Sequence, residues 1–97
     1  MYFAVSRRWG TAWDRSRPLR EQHQWAEHAA FMDELFDEGF VVLAGPLGDG
    51  ALLIIDADSE NTVRARLEED PWSPTQMLTT AAVERWEILL GDPQPHQ

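Results

Sequence analysis

One histidine of this 97-residue chain is placed where an ionisable ring can do chemistry. His28 comes three residues after Trp25 and four before Met32, so the three side chains share one face of a predicted helix. Imidazole titrates near neutral pH and can both accept and donate a proton. A histidine on an apolar helix face is, however, more often a structural residue whose nitrogens are satisfied by neighbours. His28 alone therefore leaves a structural and a chemical interpretation open.

Two short motifs further along the chain end predicted elements. Ala44-Gly45-Pro46 closes an apolar run, and Asp70-Pro71 follows a short helical segment. Each has an ordinary explanation when taken separately, because Gly-Pro commonly ends a strand and Asp-Pro commonly ends a helix at the surface. The two motifs become informative because both follow His28 in this order.

The sequence predicts no metal site and no cofactor. His23 and His28 lie five residues apart, which separates them by about 140° around a helix. They therefore cannot form the i, i+4 histidine pair of a helical metal site, and the chain contains no cysteine. No recognisable nucleotide- or cofactor-binding motif is present.

Charge and hydropathy limit the partners. The net charge of −9 repels phosphate backbones, so no nucleic-acid partner is expected. The first twenty residues hold five arginines and one aspartate, a net charge of +4, against −13 in the remainder. This arginine cluster is either a solvated basic loop or a site for a small anionic ligand. Without a signal peptide or a membrane-length apolar run, we expect no membrane association and a cytoplasmic location.

The elements that must position these residues can be predicted from hydrophobic periodicity. Strand patterns cover residues 2–8, 40–44, 51–56 and 79–90, and helical patterns cover 19–38 and the segment from about 58 to just before Pro71. The apolar stripe of the first helix consists of Trp25, Ala29, Met32 and Phe36, widened by Leu35.

This order predicts an α+β, ferredoxin-like βαββαβ domain, with a four-stranded antiparallel sheet and two helices on one face. A single domain is expected over residues 1–90, followed by a loose tail at 91–97. Residues 40–43 and 51–55 are apolar on both strand faces, as in sheets buried on both sides. Because no third layer is available to cover the second face, we expect a homodimer packed through the sheet faces.

Taken together, the motifs resemble the YciI-like (YCII-related) family. The matching pieces are His28 with the segment up to Gly39, Ala44-Gly45-Pro46, Asp70-Pro71-Trp72 and Arg85-Trp86-Glu87, spread over roughly residues 1–90. The resemblance implies a dimeric α+β barrel of ferredoxin-like protomers, in agreement with the homodimer expected from the two-sided apolar strands.

The resemblance also implies a site. In the family, a histidine of the first helix and an aspartate are proposed to form an active-site dyad, which carries over to His28 and Asp70. One class of members is similar to a dehydrochlorinase acting on chlorinated hydroxyquinols, and most members have no assigned reaction. The connection between the second and third strands is short here, and the first loop carries Trp9 and Trp13. The identity of the substrate therefore does not carry over.

These observations lead to one functional hypothesis and two alternatives. A carboxylate beside His28 would fix its tautomer and stabilise the imidazolium, which favours a cofactor-free lyase (dehydrochlorinase-like) or isomerase acting on a small oxygenated, aromatic ligand. The expected substrate-binding residues are Arg7, Gly45, Pro46 and Trp72. The first alternative is a non-catalytic ligand-binding or accessory domain in which His28 only forms a hydrogen bond. The second, by analogy of fold alone, is a cofactor-independent monooxygenase.

Overall fold

The chain folds into an antiparallel sheet covered by helices on one face. The computed structural model describes residues 1–91, so the predicted tail lies outside the described residues except for Gly91. The elements are β1 (Tyr2–Trp9), α1 (Trp25–Asp37), β2 (Val41–Leu47), β3 (Gly50–Asp56), α2 (Glu60–Leu67) and β4 (Leu78–Trp86). The four strands lie in the order β2-β3-β1-β4, and all neighbours are antiparallel. The predicted ferredoxin-like α+β fold is confirmed.

Strand β1 lies inside the sheet and carries the core. Its side chains alternate between the two faces, and Phe3, Val5 and Arg7 are buried on the face that the helices cover. Phe3 and Val5 pack in one cluster with Leu35 of α1 and Leu67 of α2. Arg7 therefore follows two core residues along the same face of the strand.

The first helix begins later than predicted. Leu19–Glu21 form a separate 3₁₀ turn, and Gln24 adopts a left-handed φ of 61° immediately before α1. The helix begins late because the buried side chain of Gln22 binds the backbone of the preceding loop. Its Oε1 accepts from the N–H of Asp14 at 3.0 Å, and its Nε2 donates to the carbonyls of Asp14 at 2.7 Å and Arg17 at 2.9 Å. These bonds hold residues 14–17 against the start of α1.

Helix α1 turns a narrower stripe to the core than the sequence predicts. His28 and Leu35, seven residues apart, are its buried residues, whereas Phe36 is 58% exposed. The prediction that Phe36 belongs to the buried stripe is wrong, because one residue past Leu35 turns the side chain by about 100° around the helix. At 13 residues, α1 is too short for a bilayer, and no helix within residues 1–91 is long and apolar enough to cross one.

The β2–β3 hairpin is tighter than predicted. A two-residue turn, Gly48–Asp49, joins the strands, so β2 runs to Leu47 and Gly45 and Pro46 lie within it rather than beyond its end. Gly48 has a φ of +55°, which suits the first central position of such a turn. Pro46 is tolerated because β2 is an edge strand of the sheet.

The second half of the fold is fixed by a cap and by strand pairing. The hydroxyl of Ser59 accepts from the N–H of Thr62 at 3.1 Å, so Ser59 caps α2. Strand β4 ends at Trp86 and not at residue 90. Trp86 pairs with Tyr2, the first residue of β1, so β4 has no neighbouring strand beyond that point.

The sheet face away from the helices is apolar and open. Ala4, Leu43, Leu52, Ile54 and Trp86 line a shallow groove of about 730 Å³ on this face. Leu52 is 40% and Leu43 55% exposed. This is the surface on which the sequence predicts the contact with a second copy.

Candidate functional site

The side chains of His28 and Asp70 are hydrogen bonded. Nδ1 of His28 lies 2.8 Å from Oδ2 and 3.0 Å from Oδ1 of Asp70. Because an ionised carboxylate only accepts, Nδ1 carries the hydrogen, and Nε2 keeps the lone pair of the neutral ring. Nε2 has no hydrogen-bond partner among residues 1–91. His28 thus has one nitrogen held by the protein and one available to a ligand.

A tight turn after α2 aims Asp70 at the helix. The N–H of Asp70 donates to the carbonyl of Leu67 at 3.2 Å, and the carbonyl of Asp70 accepts from Ser73 at 2.9 Å. Oδ1 also accepts from the N–H of Trp72 at 2.9 Å, an Asx-type bond that fixes the carboxylate relative to its own backbone. The sequence Asp70-Pro71-Trp72 therefore places a fully buried carboxylate under α1.

Arg7 completes this group from the core face of β1. Its Nη1 lies 2.7 Å from Oδ2 of Asp70, and its Nη2 donates to Oγ of Ser73 at 2.9 Å. The Arg7 and Asp70 side chains are only 1% and 0% exposed, so their ion pair is shielded from water. Among the described residues, Nε of Arg7 is a buried donor with no hydrogen-bond partner. Arg7, predicted to bind substrate, has both Nη groups engaged by the protein.

The contacts around Asp70 keep it ionised. Burial alone would raise its pKa, because a charged carboxylate loses hydration. The hydrogen bond with His28, the N–H of Trp72, the positive charge that His28 carries when protonated and the bond from Arg7 act in the opposite direction and prevail. The pKa of Asp70 consequently lies below its ordinary value. The group beside His28 is therefore a carboxylate at neutral pH.

Two tryptophans fix the plane of the imidazole ring. Trp72 stacks on His28 with ring centroids 3.9 Å apart and planes inclined by 8°. The indole N–H of this buried tryptophan donates to the carbonyl of His23 at 2.6 Å, which holds the ring in place. Trp25 lies tilted beside both, 5.8 Å from His28 and 5.9 Å from Trp72. Stacking and the bond to Asp70 together leave the ring of His28 little freedom to rotate.

The imidazole borders a cavity of about 590 Å³ between α1, the loop after β1 and the β2–β3 hairpin. This volume is typical of small-molecule sites, which span roughly 300–1,000 Å³. Tryptophans dominate the apolar walls: Trp9, Trp13, Trp25 and Trp72. Trp9 and Trp13 stack at 4.9 Å, and Trp13 meets Trp72 edge-on at 5.5 Å. The walls therefore offer aromatic faces to a flat ligand.

The predicted site residues divide into those that line the cavity and one, Asp70, that lies behind them. His28, Arg7, Gly45, Pro46 and Trp72 all line the cavity. Asp70 does not line it, and it acts on the cavity through the side chains of His28 and Arg7, which both line it. Gly45 and Pro46 belong to the opposite wall, formed by β2. Within the described part of the chain, no group of three or more His, Cys, Asp and Glu side chains is arranged to hold a metal ion.

Two features of the site were not predicted from the sequence. The first is the pairing of Arg7 with Asp70, although a signal was present: Arg7 shares the two-residue period of Phe3 and Val5, which places it on the buried face. The second is Trp25, which the sequence places on the apolar stripe of the first helix and which forms a cavity wall. No sequence signal distinguishes a tryptophan that packs in the core from one that lines a cavity.

Comparisons with known proteins identify a structural neighbour. No protein-family model matches the chain, and no curated protein matches it. Among solved structures, the chain is similar to a 5-chloro-2-hydroxyhydroquinone dehydrochlorinase from Burkholderia phenoliruptrix AC1100, determined in complex with 2,5-dihydroxybenzoquinone. The TM-score is 0.66 and the sequence identity 27%, over 90% of this chain and 94% of that chain. The likeness thus spans nearly the whole of both chains, and it is to an enzyme that acts on a small molecule.

Proposed function

We propose that this chain is a cofactor-free acid–base enzyme in which Nε2 of His28 transfers a proton of a small hydroxylated aromatic substrate. The observation that carries the proposal is that the two nitrogens of the His28 ring have different surroundings. Nδ1 is held by the Asp70 carboxylate, while Nε2 is unengaged and the ring borders an apolar cavity. A buried carboxylate in this position fixes the tautomer and stabilises the imidazolium formed when Nε2 takes a proton.

The reaction class that we propose is the elimination of hydrogen chloride from a chlorinated, hydroxylated ring. His28 removes a proton from a ring hydroxyl, whose electrons form a carbonyl, and the proton is returned to the carbon that bears chlorine. Loss of a second hydroxyl proton then forms a second carbonyl as the C–Cl bond breaks and chloride leaves with its electron pair. The ring becomes a quinone, one HCl is released, and no external oxidant is required. The likeness to a dehydrochlorinase supports this class.

We also propose that the chain is a YciI-like protein and that it forms a homodimer through the open sheet face. The shared order of His28, Ala44-Gly45-Pro46 and Asp70-Pro71 supports the family. The exposed apolar side chains of Leu43 and Leu52 support the dimer, because an apolar surface of this kind gains stability when it is removed from water.

A non-catalytic ligand-binding domain is the second candidate, and one observation favours it. Arg7 and Asp70 are buried and also bind the local turn, through Ser73 and the N–H of Trp72. This group therefore joins β1, α1 and the turn after α2, whether or not a proton moves. In that case the cavity would hold a metabolite, and His28 would only form a hydrogen bond with it.

Chloride release from 5-chloro-2-hydroxyhydroquinone separates the two candidates. We expect the wild-type protein to release chloride together with quinone formation, and His28→Asn to lower kcat by about 10²-fold or more while the fold, followed by circular dichroism, is retained. The matched control is His23→Asn, because His23 is exposed and its side chain does not line the cavity. Equal rates for His28→Asn and wild type would refute the acid–base role. Binding of the product analogue 2,5-dihydroxybenzoquinone without any turnover would favour the binding domain.

A further inference from the structure

The charge of the cavity is opposite to that of the protein. The chain carries −9 overall, yet among residues 1–91 the cavity is lined by four arginines and a single acidic residue, Asp33. These arginines are Arg7, Arg15, Arg17 and Arg20. Cationic side chains gathered at one apolar cavity of an acidic protein raise the local concentration of small anions.

The four arginines differ in how far a neighbouring carboxylate of the protein already neutralises their charge. Arg7 is committed to the buried ion pair with Asp70. Arg15 lies 3.4 Å from Asp49, and Arg17 lies 3.4 Å from Asp14. All four of those side chains are about half or more exposed, so water screens both pairs and each contributes little. Arg15 and Arg17 thus keep most of their attraction for a third, anionic group.

Arg20 has no carboxylate within ion-pair distance among residues 1–91. Its guanidinium carbon lies 5.7 Å from the ring centroid of Trp25, whose ring is in turn 5.8 Å from that of His28. A guanidinium beside an aromatic ring keeps N–H groups available for a carboxylate, which it can bind through two parallel hydrogen bonds. The guanidinium of Arg20 therefore lies beside Trp25, which in turn lies beside His28, the candidate base.

We propose that the cavity takes a hydroxylated aromatic acid, whose carboxylate binds Arg20 while its ring lies along Trp25 and its hydroxyl faces Nε2 of His28. This inference rests on the proposed function for the role of the hydroxyl and adds the anionic group that selects the substrate. A single aromatic ring lying along Trp25 is a suitable bridge, because Trp25 lies beside both Arg20, at 5.7 Å, and His28, at 5.8 Å. Arg15 and Arg17 strengthen the attraction without contacting the carboxylate.

Isothermal titration calorimetry with two small probes tests the proposal. The probes are 2,5-dihydroxybenzoate and hydroquinone, which share the hydroxylated ring and differ in the carboxylate. We expect the wild-type protein to bind the acid about tenfold or more tightly than hydroquinone, as a charge-assisted bidentate contact allows. Arg20→Gln should remove this preference and leave the affinity for hydroquinone unchanged, and Arg20→Lys should keep part of it. Arg64→Gln on α2 is the matched control, since Arg64 lies outside the cavity.

Each outcome decides for or against the inference. Undetectable binding of the acid, equal affinity for both probes, or an Arg20→Gln variant that keeps the preference would overturn it. The chloride-release assay is independent of this result. A preference that depends on Arg20, with no turnover by any form, would leave the aromatic-acid site standing and remove the enzyme proposal. Turnover of the uncharged chlorinated substrate, without tighter binding of the aromatic acid than of hydroquinone, would support the enzyme proposal and overturn the aromatic-acid site.

Discussion

Arg7 and Asp70 form an ion pair in the interior of the protein, with Nη1 2.7 Å from Oδ2. The same oxygen lies 2.8 Å from Nδ1 of His28. One carboxylate thus serves both the strand that carries Arg7 and the helix that carries His28. Its charge is shared between holding the fold together and orienting the candidate base, so substitutions at this position have consequences for both.

The first prediction concerns the stability of this pair. Asp70→Asn leaves the guanidinium of Arg7 buried without a counter-charge. Arg7→Met removes the positive charge that pairs with the buried carboxylate of Asp70. Each should lower the free energy of unfolding by about 3–5 kcal/mol in urea titrations. The double variant should lose less than the sum of the two, because neither charge then remains unpaired.

An exposed ion pair provides the comparison for that experiment. Arg64 and Glu60 are 2.9 Å apart on α2, with side chains 43% and 51% exposed. Arg64→Met should change the free energy of unfolding by no more than about 0.5 kcal/mol. If Asp70→Asn were equally mild, the buried pair would not contribute to stability in the way described.

The second prediction is a loss of stability in acid that depends on Asp70. The pKa of Asp70 is lowered in the folded protein, so ionisation of this group stabilises the fold at any pH above its ordinary value of 3.8. That contribution should disappear as the pH falls through the lowered, folded-state pKa. We expect the melting temperature of the wild-type protein to fall more steeply than that of Asp70→Asn below about pH 4. Parallel curves from calorimetric scans between about pH 2 and 6 would contradict this assignment.

The third prediction compares two glycines on neighbouring strands. A Cβ added at Gly50 would overlap the backbone carbonyl of Arg7, whereas nothing lies within 4 Å of a Cβ at Gly45. Gly50→Ala should force β3 away from β1 and lower the free energy of unfolding by about 1–3 kcal/mol. Gly45→Ala should have a much smaller effect. Similar chemical denaturation midpoints for the two variants would show that the close approach of Gly50 to Arg7 can relax.

The fourth prediction tests the proposed homodimer. Leu52 is 40% exposed on the open sheet face, so Leu52→Glu should place a charge in the interface and convert a dimer to a monomer. Phe36→Glu is the control, because Phe36 is similarly apolar and exposed but lies on the helical side of the fold. Light scattering coupled to size-exclusion chromatography measures both masses. A wild-type monomer at micromolar concentration would remove the proposal.

The order of the elements could be predicted because local patterns determine it, but their ends could not. The start of α1 depends on the hydrogen bonds that Gln22 makes with the loop backbone, and such contacts leave no periodic signal. The end of β4 depends on where β1 begins, since Trp86 pairs with Tyr2. Both boundaries are set by partners distant in sequence or by an aperiodic loop, so hydrophobic periodicity alone placed them wrongly.

The candidate site was predictable to a similar extent. His28 and Asp70 were singled out by position and motif, and they are hydrogen bonded. The part played by Arg7 was not foreseen, because an arginine early in a chain resembles any solvated basic residue until its face of the strand is considered. The cavity itself depends on side chains from one loop, one helix and one hairpin. No single segment of the sequence carries that information.

The position of Pro46 within β2 has a consequence for how copies of this protein meet. β2 forms one margin of the sheet, where unpaired backbone groups invite another strand to add. Proline has no N–H to offer such a strand, and it disturbs the regular ladder on which fibrillar stacking depends. A residue first noticed as part of a motif thus makes this margin of the sheet a poor template for the addition of a further strand.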